Sequence, residues 1–334
     1  DCNIYSLDLS QNPMLAHFDC NTNSLTKLDL SRNTNLEYLN CGCNMLTKLD
    51  LSRNTKLTAL DCGGNRMGSK LDLSHNTLLT VLDCGDNHLS ALALPRSDSL
   101  RDIACDYNRI TSIDCTPVPE LVSLDCSHNR VSRLNIVPAT HLEVLNCGYN
   151  SMRSLVITSA NSALRELDCS EIWLYKLDLS EAVNLEKLIC MNNLLYTLDV
   201  SHNTALTVLD CSAVQAKSFD FSHNTELREL RCGGNELTTL DVSHNTKLTL
   251  LECSYCTLTS IDVSMLPDLE NLYCYDNKLT YIDLSQNHAI KEISCQRNKL
   301  TGLFVPDDAN VKWFHASDNP FVLSQVHIPG STFL

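Results

Sequence analysis

Three groups of residues have types and spacings that suit chemistry. Cys253-Ser254-Tyr255-Cys256 is a C-x-x-C, the spacing that lets two thiols share a zinc ion or exchange a disulfide. Asp199, Ser201 and His202 supply the acid, nucleophile and base types of a hydrolytic triad, and the set returns at Asp220, Ser222, His223 and at Asp241, Ser243, His244. Asp61, Asp83, Asp86, Asp102, Asp106 and Asp125 concentrate carboxylates of the kind calcium takes, with Asp61, Asp83, Asp86 and Asp106 as the candidate ligands. No cofactor and no metal is called for; calcium at these carboxylates is weighed against a merely solvated face.

What positions these residues is a repeat. Leu36-Glu37-Tyr38-Leu39-Asn40-Cys41-Gly42-Cys43-Asn44-Met45-Leu46 reads L-x-x-L-x-C-x-x-N-x-L. Its cysteine returns at Cys20, Cys41, Cys62, Cys84, Cys105, Cys126, Cys147, Cys169, Cys190, Cys211, Cys232, Cys253, Cys274 and Cys295, in steps of 21 residues with two of 22. A unit this short cannot bury its own apolar side chains, so each must stack on its neighbours as one coil of a solenoid. Alternation at Leu36, Leu39 and Cys41 predicts a short strand facing inward at those positions, and stacked coils align the strands in a parallel sheet. Asn44 and its equivalents end the strand, turned inward to satisfy backbone groups. The second half of the unit, L-T-x-L-D-L-S-x-N-T as in Leu46 to Thr55, is too short for a helix and predicts extended chain ending in a turn.

This pattern resembles leucine-rich repeat proteins. Cysteine in place of a strand leucine, over a 21-residue unit, is most similar to the internalin-type, cysteine-ladder repeats of exported bacterial proteins. The resemblance implies a mainly β, right-handed leucine-rich repeat solenoid with one long parallel sheet and extended segments, not helices, opposite it. It also implies an exported location, at the cell surface or outside the cell, and a non-enzymatic binding or adhesion role.

The register re-reads each chemical group. Cys253 is a ladder residue and Cys256 stands where other coils carry asparagine, so both are read as structural. Cys115 replaces an apolar residue of the second segment, whereas Cys43 falls on an outward position as an exposed thiol. Cys2 lies in an incomplete coil. Ladder thiols on in-register strands are about 4.8 Å apart with parallel vectors, which opposes disulfides and predicts reduced, buried cysteines. The three Asp-Ser-His sets are tandem turn residues whose serines are engaged in the turn, an arrangement that disfavours catalysis. Their stacked histidines are weighed as a metal or pH site against a solvated edge.

A length of 334 residues would ordinarily suggest two or three domains, but an unbroken repeat predicts a single solenoid over 1–334. It comprises an incomplete first coil over 1–14, fourteen repeats over 15–310, and a degenerate coil or cap over 311–334, with extra residues near Gly68 to Lys70 and Ser159 to Ser162. Val311, Phe314, Ala316 and Asn319 keep the register after the pattern decays. A net charge of −15 argues against sequence-independent binding to nucleic acid, and no apolar run is long enough to span a bilayer. The chain is read as a monomer.

On the exposed sheet face the position before each ladder cysteine is mostly acidic in the N-terminal two thirds, with Asp19, Asp61, Asp83, Asp125 and Asp168. Such neighbours must be hydrogen-bonded, partly protonated or neutralised by cations. Further on, the face becomes mixed and aromatic. Arg231, Glu252, Tyr255, Tyr273, Tyr275 and Trp313 are the candidate ligand-binding residues, on the concave face, for a protein or glycan. A uniform face would instead mark a spacer presenting other domains. An enzyme would need a non-repeating polar cluster, which the sequence does not display. Tyr149 also points outward.

Overall fold

The computed structural model describes residues 3–328. Cys2 and the last residues of the expected C-terminal cap, 329–334, lie outside them. The chain forms two compact units, Asp1–Ile172 and Trp173–Leu334.

In the first unit, three-residue strands from His17–Asp19 to Glu166–Asp168 pair in parallel with no register shift. Leu39 lies opposite Leu60, and Leu145 opposite Leu167. The second unit repeats the arrangement from Lys187–Ile189 to Trp313–His315. The expected leucine-rich repeat solenoid, mainly β, is what each unit contains. No α-helix occurs among the described residues; opposite the main strands the chain is extended, with short parallel pairings such as Ser112–Asp114 with Arg133–Asn135 and Tyr281–Asp283 with Gly302–Phe304.

Inward positions build the core. Leu36, Leu39, Cys41, Leu46 and Leu51 are buried, as are their equivalents coil after coil. No disulfide is formed among the described cysteines, and apart from Cys43 they are buried. Burial lifts the thiol pKa to about 11 at Cys20 and about 12 at Cys115 and Cys295, and well above the ordinary range at Cys62, Cys105, Cys147 and Cys232. The ladder cysteine therefore behaves as a small apolar side chain.

Two asparagine ladders satisfy the backbone. Asn44 Nδ2 donates to the carbonyls of Cys20, Cys41 and Gly42 at 3.0–3.2 Å, while its Oδ1 accepts the Leu25 N–H at 2.9 Å. The second ladder lies in the S-x-N-T turn, where the sequence indicated only turn propensity. Asn54 Nδ2 donates to the carbonyls of Leu30 and Asn33 at 3.2 and 2.9 Å, and its Oδ1 is buried without a partner. Asn76, Asn203, Asn224 and Asn287 repeat both features. A buried amide holding carbonyls of the preceding coil fastens coil to coil, at the cost of one orphaned oxygen.

The insertions stay local. The extra residue near Ser159 becomes a 3-10 turn, Ser159–Asn161, capped by Thr158, and Asn161 still reaches back to the Ile136 carbonyl at 3.0 Å. Asn319 still makes ladder bonds, to the Cys295 carbonyl and from the Leu300 N–H, both at 3.0 Å.

Candidate functional site

Each main strand is so short that the residue before the ladder cysteine also starts the following turn. That explains the acidic column. Asp61 Oδ1 accepts the Gly63 N–H at 3.1 Å and Asp83 Oδ1 that of Gly85 at 2.9 Å; Asp125 and Asp168 accept both N–H and Oγ of Ser127 and Ser170. These are Asx-type turns, which aspartate forms more readily than most residues. Of the three expected ways to accommodate neighbouring carboxylates, hydrogen bonding is the one seen at these four aspartates. Burial raises the pKa of Asp61 and Asp106, with neighbouring carboxylates adding to it. Asp61, Asp83, Asp86 and Asp106 line one shallow depression, yet no three His, Cys, Asp or Glu side chains come together to hold a metal ion among the described residues.

The glycine after a ladder cysteine has a steric role. A Cβ on Gly85 would sit 2.6 Å from Asp106 Oδ1, and one on Gly233 would lie 2.5 and 2.7 Å from the Glu252 carboxylate. The next coil's acid thus lies over the preceding coil's glycine.

The triad-like sets are turns. Asp199 Oδ1 accepts the backbone N–H of Ser201 at 3.0 Å, while Ser201 Oγ meets Nδ1 of adjacent His202 at 3.2 Å. The same geometry recurs at Ser222–His223 and Ser243–His244. The acid holds the serine's turn and does not orient the imidazole, so the relay a triad needs is not assembled. Cys256 takes over the role of the ladder asparagine. Its thiol lies 3.8 Å from the Cys232 carbonyl, and while burial raises its pKa, the N–H groups of Asn235 and Leu237 work against that rise.

The six candidate binding residues all fall in the second unit. Register aligns Arg231, Glu252, Tyr273, Ser294 and His315 on successive strands, and Glu229, Leu250, Asn271, Glu292 and Trp313 in the row beside them. Tyr273 Oη donates to Glu292 Oε2 at 2.6 Å; its pKa is pushed up to about 12, by burial first and then by that bond. Tyr255 meets Tyr275 edge to face at 5.1 Å, and Trp313 meets His315 likewise at 5.9 Å. Arg231 is held by Glu229 at 2.9 Å. Glu252 stands apart from the others: its carboxylate accepts the N–H groups of Ser254 and Gly233 at 2.9 and 3.2 Å, and burial raises its pKa. It supports the turn more than it presents a charge.

One grouping escaped the sequence reading. The residue before the ladder asparagine has a left-handed backbone, for example Cys43 (φ 50°), Tyr107 (φ 48°), His128 (φ 51°) and Tyr149 (φ 55°), as does Tyr255 (φ 53°) before Cys256. In the first unit this column stacks Tyr107 on His128 and His128 on Tyr149, each at 4.2 Å and within 9° of parallel. Tyr149 is outward as expected but not free. Three rings in one column of consecutive repeats were the available signal.

No family model matches the chain, and no curated protein matches it. Among solved structures it is similar to the functional domain of InlJ from Listeria monocytogenes, described as including a cysteine ladder, at 34% identity and a TM-score of 0.77 over 86% of this chain. It spans 64% of that chain. A leucine-rich repeat protein of Leptospira interrogans superimposes at a TM-score of 0.82 with 20% identity, covering 95% of this chain and 94% of the other. An internalin of Listeria monocytogenes, inlF, gives 0.66 with 18% identity over 94% and 89%. The last two bear on the fold alone. No helix among the described residues is long and apolar enough to cross a membrane.

Proposed function

This chain is a leucine-rich repeat protein of the internalin-like, cysteine-ladder type, and on that premise we propose that it is an exported, non-enzymatic binding module that recognises a protein through the exposed sheet face of its second unit. One observation carries the reading. Tyr255, Tyr273 and Tyr275 occupy neighbouring turns and strands, held in place by the Glu292 bond and the edge contact, while contributing outward surface rather than core. Aromatic and arginine side chains dominate interface energetics because they bury large area at small entropic cost. Arg231 and Trp313 extend the patch on either side.

Screening the purified chain against arrays of extracellular proteins and of glycans tests this reading. For a captured protein, Tyr273→Ala, Tyr275→Ala and Trp313→Ala are expected to weaken binding by more than about 1 kcal/mol each. Asp19→Ala and Asp61→Ala are expected to do little. The reverse pattern would move the site to the acidic column, and no captured protein at all would favour a spacer.

A further inference from the structure

Away from the sheet face, exposed aromatic side chains of the second unit gather at its first turns. Trp173, Tyr175 and Tyr196 are 61%, 55% and 55% exposed, whereas Leu174 and Leu195 between them are buried, so all three rings project outward. The Leu194 N–H bonds the Leu174 carbonyl at 2.9 Å, which sets the second turn directly beside the first at about the 4.8 Å spacing of paired strands. Leu194, half-buried, fills the place next to Trp173.

The fold does not require these rings. In the column of Tyr175 and Tyr196, six residues after the ladder cysteine, other coils carry Thr47, Thr111, Thr238 and Thr280. Trp173 (φ 63°) and Tyr196 (φ 57°) also hold a left-handed backbone, costly for a bulky side chain. Gln215 (φ 65°) takes the place of Trp173 two coils on. The turn therefore needs the conformation, and an uncharged polar side chain serves it equally well.

The ring faces are also free. Several exposed rings elsewhere are engaged: Tyr107, His128 and Tyr149 with one another, Tyr255 with Tyr275, Trp313 with His315. Among the described residues, Trp173, Tyr175 and Tyr196 meet no other ring. We propose that they form a carbohydrate-binding platform, on which the apolar faces of consecutive pyranose rings of a neutral glycan stack.

Size and charge favour that occupant. At roughly 150–250 Å² per ring, a little over half of it exposed, the platform offers about 300–400 Å². A protein partner ordinarily covers about 800 Å² on each side, whereas a short run of sugars fits the smaller area. The flanking Lys176 and Lys217 face Asp178 and Glu236 at 3.6 and 4.0 Å, so these two cations beside the rings are each compensated by a carboxylate and favour a neutral ligand over an acidic polymer. A pyranose also matches these side chains chemically, with an apolar face against the ring and hydroxyls reaching the phenol and indole N–H.

The test is calorimetric and fluorescence titration of the full chain with cello-, chito-, xylo-, manno- and laminarihexaose. At least one is expected to bind saturably and shift the tryptophan emission, and Tyr175→Ala or Tyr196→Ala to weaken it at least about tenfold. Trp173→Gly separates binding from folding. It is expected to abolish binding while melting no lower than the parent, because glycine is the residue best suited to φ above zero. Absence of binding to every hexaose would overturn the proposal, as would binding that survives Trp173→Gly and Tyr196→Ala. Loss of binding on Tyr273→Ala but not on Trp173→Gly would overturn it too, placing the sugar on the sheet face; a Trp173→Gly chain that melts well below the parent would make the ring a packing element.

Discussion

Raising the pH above 9 is expected to unfold this protein through its cysteines. In the folded chain, burial raises the pKa of about fifteen thiols, from Cys20 to Cys295. An unfolded chain gives up those protons near the ordinary value of 9.0. Above that pH the unfolded state binds fewer protons than the folded one, so stability falls as pH rises. One unit beyond it, at about pH 10, each such thiol costs on the order of 1 kcal/mol, and fifteen together on the order of 15–20 kcal/mol. That exceeds the roughly 5–15 kcal/mol by which domains are stable, so the midpoint should fall between about pH 9 and 10. Urea titrations followed by circular dichroism from pH 7.5 to 10, under reducing conditions, give the slope directly. Replacing Cys105, Cys126 and Cys147 by valine changes the absolute stability through packing but should flatten the slope by about 4 kcal/mol per pH unit. A urea midpoint that stays constant over this range, or a triple variant that keeps the parent slope, would refute the account of the ladder as buried, protonated and free.

At the acid end the sign reverses: serine bonds lower the pKa of the outer-edge aspartates, to about 2 at Asp72, so the stability they add is present above the unfolded value of 3.8 and is lost as pH falls toward 2, visible as an acid melt suppressed in Asp72→Asn. Asn150→Val removes bonds to the carbonyls of Cys126, Cys147 and Gly148 and leaves the Val131 N–H unpaired, which should cost about 2–4 kcal/mol, whereas Asn150→Cys should cost about half as much because Cys256 already fills that role; equal losses in chemical denaturation would contradict this. Gly85→Ala should destabilise by about 1 kcal/mol by displacing the Asp106 carboxylate, and Asp106→Ala should restore the loss in a double-mutant cycle. Cys147→Ser, which puts a hydroxyl into the apolar stack, should cost about 1–3 kcal/mol by thermal melting, against a negligible change for exposed Ser151→Ala.

The repeat period alone determined which residues face inward, the parallel register, the extended chain opposite the sheet, the inward turn of Asn44 and the buried state of Cys253 and Cys256. Period is decisive there because in a strand a one-residue slip would turn every leucine and cysteine outward. The same logic reads the tandem Asp-Ser-His sets as turn residues, since residues that recur at one place in successive coils support the coil. What one unit cannot show is which side chain of the next coil it meets. Only the tertiary structure decided that Glu252 lies over Gly233 instead of facing solvent, that Tyr273 is tied to Glu292, and that Tyr149 is stacked on His128. It also decided that Asn54 fastens one coil to another, and that Trp173 stands out on a left-handed turn with its ring unpartnered. Each of these joins residues about twenty apart in sequence or depends on a backbone angle. Stacking brings such residues within contact distance, and the choice between contact and solvent is made by side-chain length and φ at that one coil, to which the repeat pattern is blind.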